Sequence, residues 1–143
     1  MENVSISGRA VVAFRVEDPT EDKYSGGSVM KFSNVLLNVG GSYDSTTGVF
    51  TAPVAGLYQF TAQLCVNKGQ NIYYEITKNG NTLHRSRIYE SGSAQCCNAE
   101  AVEVLWKWDT VSVRATSGQT ANIHKAKTVI FNTFTGFLLR ETE

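Results

Sequence analysis

The residues best suited to chemistry in this chain are cationic and aromatic. Arg85 and Arg87 stand two apart in a stretch that reads as a strand, so they share one face. A guanidinium fork suits a phosphate or carboxylate, and two on one face suit an anionic polymer. Their alternative use is structural, pairing with acids on neighbouring strands such as Glu75 or Glu103. His84 falls on the opposite face. A second basic group, His124, Lys125 and Lys127, sits in a polar stretch that otherwise reads as a solvated loop. Tyr89, Trp106 and Trp108 could stack on sugar rings, or serve a core or a subunit contact.

Other chemistries have weaker claims. The segment Glu17–Gly27 carries four acids, a proline and two glycines. Its carboxylates could hold calcium, a hard cation that takes oxygen ligands, but the spacing is not that of an EF-hand loop. There is no CxxC pair, and His84 and His124 are far in sequence from Cys65, Cys96 and Cys97, which argues against zinc. No G-x-S-x-G or H-E-x-x-H motif occurs, and no cysteine–histidine arrangement suggests a nucleophile, so the chain reads as a non-enzyme.

The elements that must hold these groups are strands. Leu57–Val66 alternates cleanly, with Tyr58, Phe60, Ala62, Leu64 and Val66 on one side and Gln59, Thr61 and Gln63 on the other. Asn71–Lys78 alternates again, with Ile72, Tyr74 and Ile76 opposed to Tyr73, Glu75 and Thr77. Asn79-Gly80 follows, a pair that tolerates the positive φ of a type I′ turn. It predicts that Thr82–Tyr89 folds back antiparallel. Further strands are expected at Ala10–Val16, Phe32–Asn38, Val49–Ala52, Thr110–Ala115 and Thr128–Leu139. Gln95–Trp106 fits a strand or a helix stripe, and its all-strand surroundings favour the strand. Glu17–Gly27 and Thr116–Lys127 read as loops.

About ten short strands separated by turns describe an all-β antiparallel sandwich or jelly roll. With 143 residues, 42% of them hydrophobic and 18% charged, the chain suits one domain with a substantial core. We place that domain at residues 10–143, after an extension of residues 1–9. Thirteen basic and thirteen acidic residues cancel, which argues against nucleic acid as a partner. No apolar run approaches the roughly 18–20 residues of a membrane helix, so no membrane insertion is expected. Met1–Gly8 has neither the basic start nor the apolar segment of a secretory leader. Either the protein is intracellular or a leader has been removed.

Three cysteines leave at least one thiol unpaired within the chain. On a strand, Cys96 and Cys97 point to opposite faces, so at most one shares a face with Cys65. A Cys65–Cys96 bridge, a Cys65–Cys97 bridge and three buried thiols are all open.

The spacing of aromatic, glycine and turn residues resembles the C1q domain family. The signature residues are Phe32, Asn38, Gly40, Tyr43, Asp44, Thr47, Gly48, Phe50, Pro53, Gly56, Tyr58 and Phe60. They are followed by Asp109-Thr110-Val111 and by the closing Phe134-Thr135-Gly136-Phe137-Leu138. The likeness runs from about Ala10 to Leu139. It departs in two places: Trp108 stands where the family usually has glycine, and no Gly-x-y stalk precedes the domain, as in head-only invertebrate members. A tryptophan there requires a differently built turn or its presentation at the surface. The resemblance implies a ten-stranded jelly roll assembling as a homotrimer, and secretion to the extracellular space. It implies lectin-like recognition of microbial surface polymers, such as lipopolysaccharide, peptidoglycan and sialylated or other glycans, with calcium possible as a helper. Its alternative is a cytokine-like trimeric ligand for a host cell-surface receptor.

Overall fold

A computed structural model describes residues 4–6, 9–126 and 131–142. Among them are fourteen strands: β1 (Val4–Ile6), β2 (Arg9–Val11), β3 (Ala13–Pro19), β4 (Lys23–Ser25), β5 (Phe32–Val39), β6 (Tyr43–Asp44), β7 (Val49–Thr51), β8 (Gly56–Val66), β9 (Ile72–Lys78), β10 (Asn81–Ile88), β11 (Gln95–Leu105), β12 (Thr110–Ala115), β13 (Thr120–Asn122) and β14 (Thr133–Glu141). One layer has the order β11-β8-β14-β3-β5. The other runs β10-β9-β12-β7-β6, because β9 pairs with β10 on one side and β12 on the other. These ten strands make the sandwich, and their pairings are antiparallel.

Four short strands are additions. The pairing of β1 with β2 straddles the proposed domain boundary at residue 10. Strand β4 pairs with β13, which meets β9 at Ile72. This corrects the reading of Glu17–Gly27 and Thr116–Lys127 as loops. Three-residue strands are too short to show a period of two, and each is held by a partner about a hundred residues away. Strand β11 ends at Leu105, which leaves Trp106 in the following turn. Val129 and Ile130, assigned to the last strand from sequence, lie outside the described residues.

The alternation of β8 becomes the core. Tyr58, Phe60, Ala62 and Leu64 are fully buried, facing Ile72, Tyr74 and Ile76 of β9 and Val111, Val113 and Ala115 of β12. Phe14 lies among Phe134 (4.9 Å), Phe50 (5.1 Å) and Tyr43 (5.4 Å). Gly136 is what lets these rings close. A β-carbon there would come within 2.6 Å of both the Phe14 and Phe60 rings. Signature residues Asn38 and Tyr43 lock each other: Asn38 Nδ2 donates to the Tyr43 carbonyl at 3.0 Å, and the Tyr43 amide donates to Asn38 Oδ1 at 3.1 Å. The Tyr43 hydroxyl accepts from the Phe32 amide at 3.0 Å, and burial pushes its pKa to about 12. Phe137 does not join this core. It points outward and keeps 41% of its surface exposed.

The expected hairpin forms. Asn79 and Gly80 adopt φ of 50° and 81°, as a type I′ turn requires, and β10 returns along β9. In the β8–β11 register Cys96 stands directly opposite Cys65, and the two form a disulfide. Cys97 points the other way as a free, half-buried thiol whose pKa is raised by burial. Among the described residues no helix is long and apolar enough to cross a membrane.

Candidate functional site

Strand β9 turns Ile72, Tyr74 and Ile76 inward, so Glu75 faces outward. The register then puts Arg85 of β10 on one side of it and Arg114 of β12 on the other. Arg85 Nε donates to Glu75 Oε1 at 2.8 Å, and Arg114 Nε donates to Oε2 at 2.6 Å. Glu75 is thereby covered completely although it lies on an outer face. Loss of water would raise its carboxyl pKa. Hydrogen bonds from Arg85 and Arg114 outweigh that and hold it below the usual carboxylate range. The Arg85 side chain remains 64% exposed. Arg87, opposite Tyr73, shares its face and is also exposed. The β10-β9-β12 part of this surface therefore carries three guanidiniums against one carboxylate. It can offer hydrogen-bond donors and positive charge to an anion.

The other candidates are not gathered here. Glu103 pairs with Lys78 at 3.1 Å. His84 Nδ1 accepts from the Glu100 amide at 3.1 Å, on the side away from Arg85. Tyr89 is exposed just beyond β10. Lys125 lies at the far edge of the molecule, beside a cleft of about 360 Å³ lined by Asp18, Thr20, Ser33 and Asn132. Its ammonium donates to the Thr20 carbonyl at 3.4 Å. Lys127 lies outside the described residues. Among those described, no three of His, Cys, Asp or Glu gather as metal ligands would. Arg114 went unnoticed in the sequence. The one available signal was its place between Val111, Val113 and Ala115, which marks it as outward-facing.

The opposite outer face, on the β11-β8-β14-β3-β5 layer, is different in kind. Register aligns Val102, Gln59, Phe137 and Ala13 in one row and Val104, Leu57 and Arg140 in the next. Val102 and Val104 are 58% and 51% exposed. With Phe137 they form an apolar patch at one end of the sheet. Toward the other end the rows turn polar, through Glu100, Thr61, Thr135 and Arg15 and then Asn98, Gln63 and Thr133.

Trp106 and Trp108 extend from the apolar end of β11 in a tight turn. The Asp109 amide donates to the Trp106 carbonyl at 3.0 Å, and Trp108 sits at a φ of 78°. That is the left-handed third position where a type II turn favours glycine. The backbone keeps the glycine conformation, and the indole is presented at the surface.

A two-layer antiparallel sandwich with this strand order has the jelly-roll fold of the C1q and tumour-necrosis-factor structures. Comparison is specific: the C1q domain family matches residues 13–139, and the chain belongs to that family. Mouse complement C1q tumor necrosis factor-related protein 3 is 37% identical over 114 residues, 78% of this chain and 45% of that protein. Human complement C1q and tumor necrosis factor-related protein 9B is 33% identical over 129 residues, 89% of this chain and 38% of that protein. The chain thus spans under half the length of these curated relatives. Among solved structures, the globular domain of zebrafish complement 1qA superposes with a TM-score of 0.76 at 20% identity, covering 92% of this chain and 99% of that one. Eiger TNF from S. frugiperda does so at 0.70 and 16% identity, covering 94% and 96%. The family is non-enzymatic.

Proposed function

We propose that this domain assembles as a homotrimer through the apolar end of the β11-β8-β14 face. In that form it acts as a secreted, lectin-like pattern-recognition protein for microbial surface polymers in innate immunity. The observation that carries the reading is the juxtaposition of two outer faces of opposite character. Exposed apolar surface marks an interaction site, and Val102 and Val104, with Phe137 two strands away across Gln59, supply it on one sheet. The other sheet is left free to present Arg85 and Arg87 three times over. Three weak sites on one rigid body bind a repeating polymer far more tightly than one. The Cys65–Cys96 disulfide suits an oxidising, extracellular setting.

The test is sedimentation of the purified domain, followed by binding to isolated lipopolysaccharide, peptidoglycan and sialylated glycans with and without a calcium chelator. A species of three chains that retains one of these polymers is expected. A stable lone protomer at micromolar concentration removes the multivalent mechanism. A trimer that ignores every glycan yet binds saturably to a host membrane protein replaces the reading with that of a cytokine-like ligand. Loss of binding on chelation would bring in calcium.

A further inference from the structure

The turn from Trp106 to Asp109 is unusual on three independent counts. Its backbone carries a side chain where the conformation favours none. A non-glycine residue held at left-handed φ is strained and persists only where its surroundings impose it. Those surroundings are visible. The Trp108 amide donates to the Ala52 carbonyl at 2.8 Å. Asp109 Oδ2 accepts from the Trp106 amide at 2.7 Å, and its Oδ1 accepts from Asn79 Nδ2 at 3.0 Å. Asn79 Oδ1 in turn accepts from the Thr110 amide at 2.9 Å. Both carboxylate oxygens are engaged, so the turn is tied to the β9–β10 hairpin and to the chain before Pro53.

What this lock presents is aromatic surface. Trp106 and Trp108 are 67% and 68% exposed, and among the described residues no other ring packs on either indole. The Lys107 ammonium lies 4.9 Å from the Trp108 ring centre, over one face, a cation–π contact that orients that ring. The fold does not need these indoles. Glycine would make the same turn with less strain, and about two thirds of each tryptophan lies outside any contact with the protein.

We infer that the Trp106–Lys107–Trp108 turn is a pre-set platform for uncharged pyranose rings, a subsite for neutral hexose polymers distinct from the arginine-bearing sheet. This deepens, and rests on, the glycan-binding reading. Rigid indole faces offer large apolar area at little entropic cost, and the apolar C–H face of a pyranose matches them. The Lys107 ammonium beside the Trp108 ring can donate to ring hydroxyls. The lysine charge is offset by Asp109, so the turn has no net charge with which to select an acidic sugar. The same neutrality disfavours a lipid surface, where clustered basic residues would be expected.

The test uses the intact chain with soluble yeast mannan, laminarin and chitin oligomers as neutral probes, lipopolysaccharide as the anionic probe and phosphatidylcholine vesicles as the lipid control. At least one neutral probe should shift the tryptophan emission to the blue and protect both indoles from N-bromosuccinimide. Trp108→Gly should reduce that binding roughly tenfold, the factor that 1.4 kcal/mol represents. Its Tm should stay level or rise by about 2–4 °C as strain is released. Trp106→Ala should weaken the same probe with the assembly intact. Lipopolysaccharide binding without tryptophan protection overturns the platform and leaves the arginine-face reading standing. Binding to no polymer at all overturns both. A blue shift with vesicles alone assigns the turn to lipid, and dissociation of Trp108→Gly into protomers assigns it to subunit contact; either outcome also overturns the proposal.

Discussion

The two outer faces of this sandwich solve opposite problems. On the β10-β9-β12 sheet, charge is exposed but internally satisfied: one carboxylate is clamped between two guanidiniums. On the β11-β8-β14 sheet, large apolar side chains stand in water opposite nothing. A charged surface with its one carboxylate paired and a cation, Arg87, to spare is stable in water and can wait for a ligand. An apolar surface is incomplete until something covers it. On the proposed reading, the contrast assigns assembly to one side of the β-sandwich and recognition to the other. Both sheets have equally regular cores, so the interior alone would not reveal it.

The largest expected effect comes from placing charge on the apolar face. Phe137→Glu or Val102→Glu would bury an unpaired carboxylate in each copy of the contact, at about 3 kcal/mol or more. That is roughly a hundredfold in association. Sedimentation should show the three-chain species replaced by single folded chains with unchanged circular dichroism. The double replacement Arg85→Ala and Arg87→Ala should leave the assembled mass alone. If it is the arginine variant that dissociates, the roles of the two faces are reversed.

Next in size is Glu75. Glu75→Ala leaves Arg114, whose side chain is only 24% exposed, without its partner. A loss of about 3 kcal/mol is expected, which corresponds to a fall in Tm of roughly 10 °C by calorimetry. The carboxyl also has a pH signature. Its folded pKa lies below its unfolded value. Its stabilising contribution is therefore full above the unfolded value of about 4.3 and is lost as pH falls through the lower folded value. As pH falls below about 4.3 the wild-type protein should lose stability more steeply than Glu75→Gln. Parallel acid profiles would mean that the clamp does not stabilise the fold.

How much of this was legible in the sequence follows the range of each signal. The inward side of β8, the Asn79-Gly80 hairpin and the shared face of Arg85 and Arg87 are local patterns, and they stand as read. The choice of Cys96 over Cys97 is not local. It depends on the register between β8 and β11, strands separated by 31 residues at the bridge. Arg114 was missed for the same reason: its proximity to Glu75 is a property of the β9–β12 pairing. Phe137 enters from sequence only as part of the closing signature, which does not say which way it points. Its outward direction follows from Phe134 pointing in and from the need for Gly136 between packed rings. Trp108 stood out as a departure from the glycine pattern, but the hydrogen bonds that retain the glycine backbone could be seen only in three dimensions.

The smallest effect on the fold is expected at Arg87, and it gives the sharpest test of the recognition face. Arg87 makes no salt bridge among the described residues, so Arg87→Ala should change stability by no more than about 0.5 kcal/mol. Arg85→Ala, by contrast, loosens the Glu75 clamp and mixes a stability loss with any loss of binding. In a single domain, removal of one exposed cation should weaken an anionic polymer by about 1 kcal/mol, close to the scatter of a binding assay. In a trimer all three heads lose it together, so the polymer-bound state loses about 3 kcal/mol, a fall of roughly a hundredfold in avidity. The variant should therefore look almost normal as a dissociated Phe137→Glu protomer and defective as a trimer, and its residual binding should be less sensitive to salt than the wild type. Equal retention of lipopolysaccharide by trimeric wild type and trimeric Arg87→Ala would show that the charged face, although complete, is not where the anionic polymer is held.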